Sequence, residues 1–104
     1  IQRDDARIDW FEPARTIWNQ VRAYRGWPQA FTLFEGRLLK ILRAWPVEGI
    51  PSSPGTVQQY AGTPAVGTGH GLLRLDEVQL EGKRSQSGAD FARGYPGLLS
   101  AKLA

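Results

Sequence analysis

The stretch from Ala30 to Val47, AFTLFEGRLLKILRAWPV, predicts the first hairpin of an antiparallel sheet. Its two halves, residues 30–34 and 37–47, are rich in the aromatic and aliphatic residues that favour strands. Between them lies Glu35-Gly36, a pair suited to a tight two-residue turn. The sequence therefore predicts two antiparallel neighbours joined by this turn.

Further strands are expected downstream, separated by segments dense in Gly, Pro and Ser. The predicted strands are Thr56–Ala61, Ala65–Thr68, Leu72–Leu75 and Asp76–Leu80, the last of the series, with a turn at Gly69–Gly71. Ser87 lies three residues before Asp90, which is a capping pattern for a short helix. Gly94 and Pro96 would end that helix.

Upstream of the hairpin, residues 7–28 (RIDWFEPARTIWNQVRAYRGWP) predict an amphipathic helix. Asp9 and Glu12 have the spacing of a capping box, and Pro13 fits the first turn. Gly26 and the pair Trp27-Pro28 would stop the helix. The apolar stripe that must be buried consists of Ala14, Ile17, Trp18, Val21 and Tyr24.

A helix beside about five short antiparallel strands predicts a mainly β fold. We expect an OB-fold-like antiparallel barrel of five to six strands, with an N-terminal helix and a short C-terminal helix. Barrel closure would remove the exposed edges that short strands otherwise present. The length of 104 residues suits one domain. The expected interior residues are Leu39, Ile41, Val57, Val66, Leu73, Leu75, Val78 and Leu80.

The composition argues against several kinds of chemistry. There is no cysteine, which excludes disulfides, thiolate catalysis and sulfur-ligated zinc. The single histidine, His70, sits between two glycines in a predicted turn. The adjacent carboxylates Asp4-Asp5 and Asp76-Glu77 are poor acid–base pairs, because neighbours in a strand point to opposite faces and those in a linker are mobile. We therefore expect no catalytic residue, metal ligand or cofactor-binding residue in this chain.

The positive charges are more suggestive. Thirteen Lys and Arg residues against ten Asp and Glu give a net charge of +3. Basic side chains that converge on one side of a barrel could follow a nucleic-acid backbone, whereas scattered ones would serve only solubility. The candidate nucleic-acid-contacting residues are Arg7, Arg37, Lys40, Arg43, Lys83 and Arg84.

An ordered set of motifs gives these residues a family context. The chain contains RIDW, then PA followed by IW and VRAYRGWP, then LLKILRA, PGT, VGTGHG, VQLEGKR and SGADFARG. From Ala6 to about Leu103, this order resembles the C-terminal domain of methionyl-tRNA formyltransferase.

The resemblance implies a division of labour between two domains. Residues 9–104 would form the barrel domain, and residues 1–8 would be a linker from a missing N-terminal catalytic domain. That domain binds 10-formyltetrahydrofolate, carries an Asn, His and Asp catalytic set, and formylates the amino group of initiator methionyl-tRNA. The barrel domain, without a cofactor of its own, would hold the phosphate backbone of the tRNA. We therefore expect two partners, initiator tRNA and the N-terminal domain, no membrane, and a location in the bacterial cytoplasm or an organelle matrix.

The resemblance also assigns roles to particular basic residues. Arg7 would lie at the junction with the catalytic domain, facing the acceptor arm. Lys40 and Arg43 match the basic positions of a family strand, and Lys83-Arg84 match the family's Gly-Lys-Lys turn.

Two other interpretations stay open at this point. The domain could chiefly brace its catalytic neighbour, with Trp10 and Trp27 exposed and packing across the interface. The parent could also be another folate-dependent formyltransferase, acting on a sugar amine, or a formyltetrahydrofolate dehydrogenase.

Overall fold

The first hairpin forms as predicted, with β1 spanning Phe31–Phe34 and β2 spanning Arg37–Val47. The computed structural model describes residues 3–24, 26 and 28–104, with side chains from Asp5 onward within those ranges. Glu35 and Gly36 both have positive φ, 52° and 77°. This is the backbone of a type I′ turn, whose twist matches that of the two strands it joins.

Within the described residues the sheet has six antiparallel strands and curls into a half-barrel. After the first hairpin come β3 (Val57–Tyr60), β4 (Thr63–Gly67), β5 (Leu72–Leu80) and β6 (Ser85–Ser87). The strand order is β1-β2-β5-β4-β3, and β6 pairs with β5 beside this path. With helices α1 (Ala14–Ala23) and α2 (Gly88–Gly94), the sheet confirms the predicted OB-fold-like class.

The interior of the half-barrel is filled by the residues that the sequence predicted. All eight are buried: Leu39, Ile41, Val57, Val66, Leu73, Leu75, Val78 and Leu80. They form one cluster with the buried side of α1, to which Ala14, Ile17 and Val21 contribute. Trp18 packs against this cluster while remaining partly exposed. The helix stripe and the strand alternation therefore meet in a single core.

One strand prediction was wrong. Residues 72–75 and 76–80 belong to the single strand β5, and β6 follows it. Asp76 and Glu77, at the predicted boundary, lie within β5, and their carboxylates pair with Arg74 and Arg43 respectively. Polar residues with such partners need not interrupt the backbone ladder.

The predicted capping box of α1 was also wrong. Pro13 is the N-cap residue, and it makes no side-chain cap. The first helical N–H, that of Ala14, donates instead to the carbonyl oxygen of His70 at 3.0 Å. Asp9 accepts from the Phe11 N–H at 3.0 Å, which forms a local turn before the helix. A contact with a distant loop thus supplies what a side-chain cap would have supplied.

The residues before α1 lie against the first hairpin. A 3-10 helix spans Arg3–Ala6, and the Ile8 N–H donates to the Phe31 carbonyl oxygen at 2.8 Å. Ala6 is buried with Phe31 and Leu38 in a small cluster separate from the main core. The outer side of β1 and of the first half of β2 is therefore partly covered by this segment.

Trp10 does not have the exposure expected of an interface residue. Only 4% of it is exposed, and its indole Nε1 donates to the Thr32 hydroxyl at 2.9 Å. The prediction that Trp10 packs across a domain interface was wrong, because the ring belongs to the core. Trp27, the other residue of that prediction, lies outside the described residues.

The segment 100–104 joins the two edges of the curled sheet. On the β3 side, the Leu103 N–H donates to the Gly55 carbonyl oxygen at 2.8 Å. On the β1 side, the Ala104 N–H donates to the Leu33 carbonyl oxygen at 3.0 Å, and the Thr32 hydroxyl donates to the Ala104 carbonyl oxygen at 3.0 Å. These bonds satisfy edge groups that would otherwise face solvent.

The second helix forms where its cap predicted. The Ser87 hydroxyl accepts from the Asp90 N–H at 3.0 Å, as expected. Phe91 on α2 contacts Phe34 edge to face, with ring centroids 5.9 Å apart. Gly88 is required at the helix start, because a Cβ there would overlap the carbonyl oxygen of Leu75. The helix thus packs directly on the sheet.

Candidate nucleic-acid interface

Two of the predicted RNA-contacting residues lie in one row on the outer face of the sheet, and this row leads to the turn that carries a third. Lys40 on β2 is opposite Phe31 on β1 and Gln79 on β5, and directly opposed residues share a face. On the far side of β1, Arg7 forms a bridge with Phe31. The Gln79 side-chain amide donates to the carbonyl oxygen of Lys83 at 2.9 Å. The row therefore runs from Arg7 through Lys40 to Lys83.

Of the remaining predicted residues, Arg84 extends this row and Arg37 does not. The Glu81 N–H donates to the Leu38 carbonyl oxygen at 2.9 Å, which continues the β2–β5 pairing up to the turn that carries Lys83 and Arg84. Gly82 opens that turn with a φ of 81°. Arg37 is opposite the core residue Phe34, and its guanidinium carbon lies 6.0 Å from the centroid of the Tyr95 ring, so its side chain is on the other face of the sheet from Lys40. The group termed the basic band below consists of Arg7, Lys40, Lys83 and Arg84.

The basic band has no carboxylate partners. Among the described residues, none of its four members has a carboxylate oxygen within the ion-pair distance of 4.0 Å. Lys40 borders a cavity of about 350 Å³ together with Gln29, Gln79 and Glu81. Cations without internal partners attract polyanions more strongly than paired ones do. The band is therefore suited to contact phosphate groups.

The sixth predicted residue, Arg43, lies on a different part of β2. Its guanidinium pairs with Glu77, Nε to Oε1 3.4 Å, while 65% of the side chain stays exposed. The β2–β5 register shifts on both sides of Arg43, between Ile41 and Ala44. The structure therefore separates Arg43 from Lys40 and partly balances its charge.

A second surface, beside Arg43, combines aromatic rings with arginines. Trp18 of α1 and Trp45 of β2 meet edge to face, with centroids 4.9 Å apart. The Arg22 guanidinium carbon lies 3.8 Å from the centroid of Trp18. These side chains line a groove of about 280 Å³, together with Leu42 and Arg43. The tryptophan groove, as termed below, is defined by Trp18, Arg22, Arg43 and Trp45.

The groove carries net positive charge although Asp76 also lines it. Asp76 is held by Arg74 through two hydrogen bonds, Nε to Oδ1 2.6 Å and Nη2 to Oδ2 3.1 Å. Hydrogen bonding to this carboxylate raises the pKa of the Arg74 guanidinium, and burial opposes the effect. Since Glu77 pairs with Arg43, both carboxylates are engaged, and Arg22 is the arginine in excess.

The sequence interpretation placed Trp18 in the buried stripe and did not single out Trp45. In the structure Trp45 is 51% exposed. Alternation from the inward residues Leu39 and Ile41 would have turned Trp45 inward as well. The register shift at Arg43 reverses the faces, so that Ala44 is buried and Trp45 is exposed. The pairing of Trp45 with a helix residue was not readable from spacing, since it depends on where α1 packs.

Other kinds of site find no support in the described part of the chain. Residues 3–24, 26 and 28–104 contain no group of three His, Asp or Glu side chains that could hold a metal ion. No helix in those same ranges is long and apolar enough to cross a membrane. His70 is exposed in the loop that was predicted to contain it, and its carbonyl oxygen accepts the hydrogen bond from the Ala14 N–H at the start of α1.

The curled sheet, the packed helix and the outer basic face place this chain in the class of small OB-fold-like barrel domains. The family described as "Formyl transferase, C-terminal domain" matches residues 1–96. The chain belongs to this family, which confirms the resemblance carried by its motifs.

Several curated relatives are methionyl-tRNA formyltransferases. Those of Pelotomaculum thermopropionicum and Roseiflexus sp. are each 45% identical to this chain, over 100 and 98 residues, and that of Thermosynechococcus vestitus is 40% identical over 124 residues. The matches cover 92%, 90% and 100% of this chain but 32%, 30% and 37% of the relatives. The chain thus spans about a third of the length of these relatives.

Solved structures show the same fold at low identity. A HypX variant from Aquifex aeolicus matches with a TM-score of 0.78 and 18% identity, over 95% of this chain and 19% of that protein. HypX in complex with tetrahydrofolic acid matches with a TM-score of 0.75 and 20% identity, over 88% and 17%. These matches show that part of HypX has the same fold as this chain.

Proposed function

We propose that this chain is the non-catalytic, tRNA-binding C-terminal domain of a methionyl-tRNA formyltransferase. The family and the names of the relatives at 40–45% identity support this parent over one that acts on a sugar amine. An N-terminal domain of the same polypeptide would bind 10-formyltetrahydrofolate and transfer its formyl group to initiator methionyl-tRNA. The chain described here would work in the cytoplasm, or an organelle matrix, where translation takes place.

The basic band is the single observation that carries the proposal. Lys40 is on the outer face of the sheet with Arg7 and the Lys83-Arg84 turn beside it, and these four cations lack carboxylate partners among the described residues. A-form RNA is recognised mainly through its shape and backbone, which such a surface can follow. By holding the tRNA body, the domain would direct the acceptor end to the neighbouring active site. Positioning of this kind accelerates a reaction without a chemical group of its own.

Titration of initiator tRNA against the chain at several salt concentrations tests the proposal. We expect weak binding whose logarithm falls linearly with the logarithm of the salt concentration. The double variant Lys83→Ala/Arg84→Ala should bind more weakly and lower this slope by about 2, roughly one for each lost phosphate contact. The matched control Arg93→Ala/Lys102→Ala removes two charges outside the band and should leave the slope unchanged. Binding without a salt slope would contradict the proposal.

A bracing role is a second candidate, favoured by two exposed apolar side chains outside the basic band. Phe11 is 72% exposed and Ile50 is 90% exposed, which suits contact with another domain. Charge reversal, Lys83→Glu/Arg84→Glu, in the full-length enzyme separates the two roles. Lost tRNA affinity with intact folding supports docking, whereas unchanged affinity with loosened domains supports bracing.

A further inference from the structure

Trp45 is unusual among the large apolar side chains of the sheet. It projects from β2, which lies between β1 and β5 in the sheet, yet half of its surface is exposed. One edge contact fixes its ring, the one with Trp18, and Trp18 is in turn covered by the Arg22 guanidinium. The ring is therefore both accessible and held in place, which lowers the entropy lost when a flat ligand stacks on it.

We propose that the tryptophan groove binds an unpaired nucleotide of RNA, with its base stacked on Trp45 and its phosphate beside Arg22 and Arg43. The inference rests on the proposed function and adds a second, base-contacting subsite to the phosphate-contacting basic band. Aromatic rings interleaved with arginines are the usual platform for single-stranded nucleic acid, because every base has a stacking face. The bound nucleotide must be unpaired, since bases inside an A-form helix are already stacked.

Charge complementarity favours RNA over an apolar peptide as the occupant. Asp76 and Glu77 are engaged by Arg74 and Arg43, so that no carboxylate facing the groove is left to repel a phosphate. Arg22 remains as an additional cation at the rim. An apolar segment would bury Arg22, which donates to the Asn19 amide oxygen, without a carboxylate to balance its charge, and this is costly.

Two RNA probes separate the two subsites. One is a blunt RNA duplex, and the other is the same duplex with a single-stranded 3′ extension. We expect the wild-type chain to bind the extended RNA more tightly. Trp45→Ala should weaken binding of the extended RNA by roughly 5- to 10-fold, the low end of base-stacking losses. It should leave binding of the blunt duplex, and the salt slope measured with that duplex, unchanged.

Two further variants control for loss of structure. Trp45→Phe keeps a stacking ring and should retain most of the preference for the extended RNA, while abolishing the fluorescence quenching that RNA binding causes at Trp45. Phe11→Ala removes an exposed aromatic ring that does not line the groove and should change neither affinity.

The outcomes distinguish failure of this inference from failure of the proposed function. If Trp45→Ala binds both RNAs as the wild type does, the base subsite is excluded and the basic band is untouched. If Trp45→Ala weakens binding of both RNAs equally, the ring acts through folding, which also overturns the inference. If the wild-type chain binds neither RNA nor tRNA at low salt, the proposed function itself fails.

Discussion

The two halves of β2 present two different surfaces on one strand. The first half, next to β1, carries Lys40 of the basic band, whose charge has no carboxylate partner within the described residues. The second half, next to α1, carries Arg43 and Trp45, which contact Glu77 and Trp18. The first surface offers cations without carboxylate partners among the described residues, and the second offers aromatic rings beside arginines whose charge is partly balanced.

The difference shows how one strand can serve two modes of recognition. Unpaired charge contributes affinity that does not depend on sequence and that salt weakens. A fixed aromatic ring contributes contact area that salt affects much less. The β2–β5 register shifts at Arg43, which separates the half of β2 next to β1 from the half next to α1.

The largest expected effect is a loss of stability that disrupts both surfaces, because both lie over the same part of the core. Ile41 is buried in the core beneath the junction of the two halves. Ile41→Ala should lower the free energy of unfolding by about 2–5 kcal/mol, because it removes buried methyl groups and leaves a cavity. Ile50→Ala is the matched control, since Ile50 is almost fully exposed, and it should change stability by less than about 0.5 kcal/mol. Urea denaturation followed by tryptophan fluorescence measures both, and equal effects would contradict the structure.

A smaller effect sharpens the contrast between the two cations of β2. Lys40→Ala should weaken binding of blunt and extended RNA equally and reduce the salt slope by about 1, as expected for a phosphate contact. Arg43→Ala should weaken binding of the extended RNA more than that of the blunt duplex, because Arg43 lines the groove. Fluorescence anisotropy with both probes measures the difference. Identical profiles for the two variants would remove the distinction between band and groove.

The smallest effect concerns the stability that the groove derives from its own arginines. Arg22→Ala should lower stability by about 0.5–1 kcal/mol through loss of its contact with the Trp18 ring. Arg15→Ala should cost less, because its guanidinium carbon is 5.6 Å from the same centroid. Both changes occur on α1 and share the same change in helix propensity. Lys83→Ala, in the basic band, should leave the midpoint of thermal unfolding unchanged. Thermal unfolding followed by circular dichroism compares the three variants.

Much of the fold was predictable because its signals are local. The turn at Glu35-Gly36, the cap at Ser87 and the alternation of inward residues each depend on neighbours within a few positions. The family followed from motifs spread over the whole chain. Most of the basic band was also accessible from sequence, since charged residues beside strand ends and turns lie on the surface.

The features that the sequence did not predict depend on long-range contacts. The cap of α1 comes from His70, more than fifty positions along the chain from Ala14. Trp10 looked available for an interface, yet its partner is Thr32. The tryptophan groove exists only because α1 packs against the second half of β2. In each case the deciding partner lay far away in the chain, and for the cap of α1 and for Trp10 it made the local prediction wrong.

The pairing of segment 100–104 with both sheet edges has a consequence for synthesis of the protein. The Thr32 hydroxyl and the Ala104 carbonyl oxygen are 72 residues apart in sequence. Arg7 and Ile8 pair with the Phe31 end of the β1 edge, but the Leu33 end cannot be covered until the later segment has left the ribosome. Until then β1 and β3 expose unpaired backbone groups that invite association with other nascent chains. The half-barrel can therefore close only after residues 100–104 have been translated. The outer surfaces on β2 become fully stable only after that closure.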